Sequence, residues 1–293
     1  MRANQQTPLT ASLAVPSFNQ NENFRAFYHS VAARYPEESI VYQTLRGKLR
    51  EKFVLGFLRR FHGRLLDLGC NTGHYLSCYQ NGASFGVDIA YPALKRAREN
   101  QVKAHFIQGD AQNLALRNGS FDAILCSEVL EHVPFPEKVF SECLRILKPG
   151  GTFLVSTPNY KRKKPTWSKV GRMRNYGIQG VKGEYYFHTA FRPEELKAMA
   201  ERAGLLVHDY GTFEKEVKYA TRVPVLLFYA LHFLNKLVFK SARVDDFNEA
   251  MLEKCSYYIY EIVSFLRLNR FFASLVREGV RSYLLVKKLP SSH

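Results

Sequence analysis

The chain has 293 residues, 46% of them hydrophobic, and a formal net charge of +16 from 42 Lys and Arg against 26 Asp and Glu. That composition is of a globular protein with a real core, sized for one enlarged domain or one domain with a helical appendage. Five cysteines (Cys70, Cys78, Cys126, Cys143, Cys255) show no C-x-x-C spacing and read as free thiols, mostly buried, in a reducing cytosol; the positive charge admits nucleic acid, anionic lipid or an anionic small substrate.

Residues 1–22 read as a flexible N-terminus, because MRANQQTPLTASLAVPSFNQ holds no apolar run of adequate length for a signal segment. From Asn23 to Phe61 the pattern is helical, with Phe24, Phe27, Tyr28 and Val31 on one stripe and Leu45, Leu49, Phe53 and Phe57 on another. Arg64 to Leu76, RLLDLGCNTGHYL, changes the pattern. Leu65, Leu66 and Leu68 predict a buried parallel strand. The run ends in Asp67, Gly69 and Gly73, a turn in which backbone N–H groups approach a ligand closely because no Cβ intrudes. Fifteen residues after Gly73, SFGVDIA ends a second strand in Asp88, an acid placed to bind the two hydroxyls of a ribose. FIQGDAQNL follows with Asp110, then FDAILCSEVLEHV and LRILKPGGTFLVSTPN as strands four and five. Tyr91-Pro92 opens a helix through Asn100, and Phe135-Pro136 opens another that stops at Lys148-Pro149-Gly150-Gly151.

Lys161 to Arg174 carries seven basic residues and no acid. It reads as a solvated loop, or as a phosphate or anionic-surface contact at the carboxyl end of the sheet, with Trp167 able to stack on a base or anchor in a lipid interface. A helix opened by Pro193 and stopped at Gly204 leads to a strand ending near Thr212. About 65 residues then precede the last strand, Val280 to Lys288. They are helical and apolar: VPVLLFYALHFLNKLVFK is too short to span a membrane, and Leu252, Cys255, Ile259, Ile262 and Leu266 fall at helical spacing. The expected organisation is a core with cap helices over 23–212, a helical insertion over 213–279, and a last strand and tail over 280–293. The insertion is expected to pack its stripe on the sheet; an interfacial platform flanked by Lys236, Lys240, Arg243, Arg267 and Arg270 is the alternative.

A glycine turn, an acid ending strand two, an acid after strand three and a late K-P-G-G turn together resemble the class I S-adenosylmethionine-dependent methyltransferases over roughly residues 60 to 212. The resemblance implies an α/β Rossmann-like fold, a seven-stranded and mostly parallel sheet with helices on both faces. The first motif, usually D/E-x-G-x-G-x-G, reads Asp67-Leu68-Gly69-Cys70-Asn71-Thr72-Gly73, with Asn71 in place of the middle glycine; asparagine tolerates left-handed backbone angles. Carried over, Gly69 and Gly73 line the methionine part beside Asp67 and Asn71. Asp88 with Ile89 grips the ribose, Asp110 and the Ala111 N–H meet the adenine, and Ser127 closes the floor. Helices before the first strand commonly cap the pocket in this family, which would bring Tyr28 and Arg46 or Arg50 within reach of the cofactor, although a core or surface role is the leading expectation for each.

Glu128, Glu131 and His132 lie where strand four passes into its helix, and positions i, i+3 and i+4 of a helical turn project on one side. The Glu-x-x-Glu-His motif resembles that of ubiquinone-biosynthesis O-methyltransferases and small-RNA 2′-O-methyltransferases, where it binds metal and a later histidine joins it; His188 stands in a comparable place. Two carboxylates and an imidazole there suit a divalent cation, or an organising and acid-base role without one, which is the favoured expectation. The expected function is S-adenosylmethionine-dependent methylation of an oxygen on a small or lipid-linked acceptor (a quinone, polyprenyl, glycolipid or sugar), in the cytoplasm with peripheral contact to the inner face of the membrane. The competing readings are an RNA methyltransferase, weakened by the absence of a separate RNA-binding module, and a catalytically silent partner protein.

Overall fold

Four consecutive buried residues, Leu65–Leu68, put β1 in the middle of the molecule. The structure, a computed structural model, describes residues 22–34, 41–169 and 185–290; the N-terminal lead-in and most of the basic loop lie outside these. The further strands are β2 (Ser84–Asp88), β3 (His105–Gln108), β4 (Phe121–Ser127), β5 (Leu147–Pro158), β6 (Trp167–Lys169), β7 (Tyr185–Phe187), β8 (Leu206–Phe213) and β9 (Arg281–Lys287). Seven of them form one sheet in the order β3-β2-β1-β4-β5-β9-β8, with β9 antiparallel to both β5 and β8 and the remaining pairs parallel. The sheet is the expected one. A separate two-stranded ribbon of β6 and β7, not foreseen, joins the ends of the basic loop.

The helices are α1 (Glu22–Arg34), α2 (Leu45–Leu58), α3 (His74–Ser77), α4 (Tyr91–Glu99), α5 (Pro136–Ile146), α6 (Pro193–Arg202), α7 (Lys215–Ala220), α8 (Arg222–Leu234), α9 (Ala242–Phe265) and α10 (Asn269–Ser274). Alternating β-residues feed two cores. Ile124 and Cys126 pack with Phe140, Cys143 and Ile146 of α5 and Leu196 and Met199 of α6, while Ala123 and Leu125 pack with Val54, Phe57 and Leu58 of α2. Among the described residues, the helical pattern from Asn23 to Phe61 gives α1 and α2, the second capped by Thr44, whose hydroxyl accepts the Gly47 N–H at 3.0 Å. Lys148 to Gly151 does not end a helix. The α5 helix stops at Ile146, and these residues open β5, where the Lys148 ammonium holds Asp122 at 2.8 Å.

The insertion does not pack its stripe on the sheet. It is rooted on α2, where Val217 and Ala220 bury against Leu45 and Leu49 beside Tyr257 and Ile259. Ile262 and Leu266 of the expected stripe are 58% and 55% exposed. Both roots lie at the carboxyl edge of the parallel strands, since Phe213 ends β8 opposite Arg281, which itself pairs with Pro158 at the end of β5.

The turn after β1 has three left-handed residues, Gly69 (φ +70°), Asn71 (φ +48°) and Gly73 (φ +80°). A Cβ on Gly69 would stand 2.3 Å from Val129 Cγ2. Gly69→Ala should therefore cost about 1–2 kcal/mol for the backbone angle and about 1–3 kcal/mol for overpacking. Adding Val129→Ala should recover part of the second loss. Urea unfolding of the two single variants and the double variant checks this; strictly additive losses would show that Val129 is not the obstruction.

Candidate active site

A cavity of about 250 Å³ opens at the carboxyl ends of β1, β2 and β4. Asp67, Gly69 and Asn71 line it from the first turn, Asp88 and Ile89 from the end of β2, Asp110 and Ala111 from beyond β3, and Ser127 from β4. Phe24, Phe27, Tyr28 and Val31 close it from α1, which is pinned where His29 Nε2 meets the Ile89 carbonyl at 3.1 Å. Asp88 accepts the Asn71 N–H at 2.9 Å and the Ala90 N–H at 2.8 Å. Burial raises its pKa and these two N–H groups pull it back. One carboxylate thus ties the first turn to the end of β2. It still has lone pairs for two ligand hydroxyls, because an ionised carboxylate accepts about four hydrogen bonds. Gly73 is not among the lining residues; it begins α3 and shapes the turn from behind.

Glu128, Glu131 and His132 do not share one face of an α-helical turn. Leu130–His132 is a single 3₁₀ turn, and Glu128 precedes it with φ +59°. A non-glycine residue held there is strained and persists only when its surroundings over-determine it. Here they do. The Glu128 carboxylate lies 2.8 Å from Arg281 Nε of β9 and 3.3 Å from Arg50 Nη1 of α2, and it accepts the Ser156 hydroxyl at 3.2 Å. Glu128 is therefore a charge-paired hub, whereas Glu131 and His132 turn toward His188. One donor atom from each of these three lies within 4.8 Å of the other two. The His132 and His188 rings stand edge to face at 4.9 Å.

Burial sets the electrostatics of this trio. The Glu131 carboxyl is pushed well up by burial, with the Glu128 charge adding, and its nearest hydroxyl donor is Thr157 at 3.3 Å. Burial, then the neighbouring His188, lowers His132 to about 3. His188 is also lowered, chiefly by burial. His132 Nδ1 is buried without a hydrogen-bond partner. An orphaned imidazole nitrogen, a second imidazole and a buried carboxylate form a donor set that fits a divalent cation.

Arg50 was legible as one of two arginines within reach of the pocket, and it lines the cavity. Arg281 and Glu214 were not foreseen. Glu214, at φ +57° between β8 and α7, has a fully buried side chain 3.4 Å from Arg281 Nε. Acid and base lie far apart in sequence, so no local pattern pairs them. The side chain of Trp167, and the basic residues Arg172 and Arg174, lie outside what is described.

A cavity lined by acids at the carboxyl edge of a doubly wound sheet is where enzymes of this architecture take a nucleoside cofactor. A profile described as a methyltransferase domain matches residues 66–155. The ubiquinone biosynthesis O-methyltransferase of Pseudomonas aeruginosa (strain LESB58) is 35% identical over 175 residues, 55% of this chain and 75% of the relative. That of Bordetella avium (strain 197N) is 30% identical over 205 residues, covering 66% and 84%. The chain belongs to the class I S-adenosylmethionine-dependent methyltransferases. Among solved structures, the cyclase SpnF aligns with a TM-score of 0.52 at 18% identity, over 84% of this chain and 82% of that one. Phosphoethanolamine N-methyltransferase 2 of Haemonchus contortus, in complex with S-adenosyl-L-methionine, aligns with a TM-score of 0.51 at 16% identity, over 91% and 60%. These two likenesses show the fold alone.

Two expectations follow from this geometry. Asp88→Ala removes a buried acceptor from two N–H groups and from the ribose, so S-adenosylmethionine affinity should fall by about 1–3 kcal/mol; calorimetry on the folded variant showing unchanged affinity would refute that role. Glu214 is raised by burial from 4.5 to about 7, against the pull of Arg281. Between those pH values the unfolded chain gives up a proton that the folded chain keeps, so stability should fall as pH rises through that window. Glu214→Gln should remove the fall, gaining about 1–3 kcal/mol at pH about 8 and nothing below the unfolded pKa. Thermal melts across pH read this directly, and a variant less stable at the alkaline end would contradict it.

Proposed function

We propose that this chain methylates a hydroxyl oxygen of a quinone-like, lipid-linked acceptor. The observation that carries the reading is the Glu131, His132 and His188 trio beside the cofactor cavity, in a chain whose relatives bear the name ubiquinone biosynthesis O-methyltransferase. The cofactor, when bound, supplies a sulfonium-activated methyl group. The protein's part is to position both partners and to handle one proton, since a near-attack geometry accounts for much of the rate of such transfers. Asp88 and Asp110 fix the nucleoside at the strand ends. Phe24, Phe27 and Tyr28 exclude water from above. The Tyr28 and His132 rings also meet edge to face at 5.5 Å.

The proton decides how the trio works. A free base is most effective with a pKa near the working pH, and His132 at about 3 is far below it. Neutral imidazoles are instead ready ligands. Glu131, His132 and His188 would hold a divalent cation, which would acidify an acceptor hydroxyl and orient it. Glu128 stands aside from this set, and with its arginines it fixes the turn that carries the other two.

The test is incubation of the full chain with methyl-labelled S-adenosylmethionine and a host extract, followed by separation of lipid, RNA and protein. Label should enter the lipid fraction, vanish in excess EDTA and return with Mg²⁺, Mn²⁺ or Zn²⁺. His132→Ala and His188→Ala should each lower turnover by about 10²–10⁴-fold with little change in S-adenosylmethionine affinity. Label confined to RNA would overturn the acceptor. Full turnover in EDTA, with no metal by elemental analysis, would remove the cation and leave the trio to handle the proton alone.

A further inference from the structure

The insertion exposes an apolar surface that the fold leaves uncovered. On α8 only Pro224 is buried. Leu226, Leu227, Tyr229 and Phe233 are 60–69% exposed, and Leu237 and Val238 on the following turn are 60% and 65% exposed. A contiguous apolar patch larger than a few hundred Å² is uncommon on a solvated monomer and marks a contact surface. The patch is held in shape. Asn248 Nδ2 donates to the Phe228 carbonyl at 2.9 Å, and Asn235 clamps Ser241 through bonds of 2.9 and 3.1 Å, joining α8 to α9 as a hairpin. Asn235 and Asn248 are both 2% exposed, so the hairpin has its own polar ties independent of any occupant.

Charge selects the occupant. From Val217 to Val244, through α8 and the turn after it, the sequence contains no Asp or Glu; the acids of the hairpin begin at Asp245 and Asp246 on α9. Arg222, Lys236 and Lys240 flank the exposed apolar residues with their own side chains in solvent. Two copies meeting through this face would bring like charges together. An anionic lipid surface satisfies both halves at once, taking the Leu, Tyr and Phe side chains among its acyl chains and the cations at its phosphates. At 13 residues α8 is about 20 Å long, short of the roughly 30 Å of hydrocarbon. Among the described residues no helix is long and apolar enough to cross a membrane. The helix can lie in the interface but not span it.

We infer that the α8–α9 hairpin is an interfacial anchor that docks the enzyme on an anionic bilayer. The anchor is rooted at Glu214 and Arg281, beside the carboxyl edge that bears the cavity, so docking places the site at the surface where a lipid-linked acceptor lies. The inference rests on the lipid-linked reading for its purpose but not for its test, which measures binding and not turnover.

The experiment is co-sedimentation of the full chain with vesicles of phosphatidylglycerol and phosphatidylcholine in equal parts, against phosphatidylcholine alone, at low and high salt. Wild type should bind the anionic vesicles and weaken with salt. Leu226→Glu and Phe233→Glu should each bind about tenfold more weakly, and Lys236→Glu combined with Lys240→Glu should do the same. All should keep wild-type melting and S-adenosylmethionine affinity. Failure of wild type to bind anionic vesicles at low salt would overturn the inference. So would full binding by the folded variants, or a stable dimer in light scattering that Phe233→Glu dissolves. Vesicle binding without label in lipid would instead sink the acceptor proposal and leave the anchor standing.

Discussion

The half of the site built around β4 hangs on one part-buried carboxylate. Glu128 sits in a strained left-handed conformation between Arg50 of α2 and Arg281 of β9. Its three neighbours come from the cap, the last strand and β5, so a single group fixes how the helix before the first strand and the strand after the insertion meet the turn that follows β4. Such a cluster is not a net gain in stability, because desolvating several charges costs about as much as their attraction returns. What it supplies is uniqueness of geometry. With Glu128 turned toward the arginines, the chain can bend through the 3₁₀ turn that sends Glu131 and His132 the other way, to His188.

The same constraint separates two electrostatic regimes a few residues apart. Glu128 is surrounded by cations. Glu131 is buried with a hydroxyl for company, and burial raises its pKa while lowering those of both histidines. Burial thus leaves both imidazoles neutral and able to ligate, whereas the Glu131 carboxyl would have to give up its proton to join them around a cation. The half of the cavity around Asp88 is organised differently, by the backbone N–H of Asn71 in the first turn and that of Ala90 just after β2, both donated to the Asp88 carboxylate.

Sequence reading reached the sheet and the acids that line the cavity because their signals are local. A buried strand, a glycine turn and an acid at a strand end each occupy a few consecutive residues, and alternation along β4 and β5 places them in one sheet. It failed where the determinant is long-range. Glu128, Glu131 and His132 have helical spacing, yet a positive φ at Glu128 breaks the helix, and the cause lies in Arg281, 153 residues onward (281 − 128). Likewise the spacing of Leu252 to Leu266 shows a helix but not what covers it; half-buried Leu252 and exposed Leu266 have the same sequence signature. The Lys148 to Gly151 turn looked like a helix stop, and the pairing of β5 with β9, where Gly150 donates to the Lys288 carbonyl, claimed it for the sheet.

The insertion is tied to this cluster at its two roots, Arg281 directly and Glu214 through Arg281. The most direct test of that coupling is a double-mutant cycle in unfolding free energy for Glu128→Gln and Arg281→Met. Glu128 and Arg281 are 15% and 16% exposed, so removing one partner leaves a largely desolvated charge unsatisfied and costs at most about 3–5 kcal/mol. The account predicts that the double variant loses less than the sum of the single losses by about 1–3 kcal/mol. Losses that add to within about 0.5 kcal/mol would contradict it, showing that Glu128 and Arg281 are neighbours without being partners.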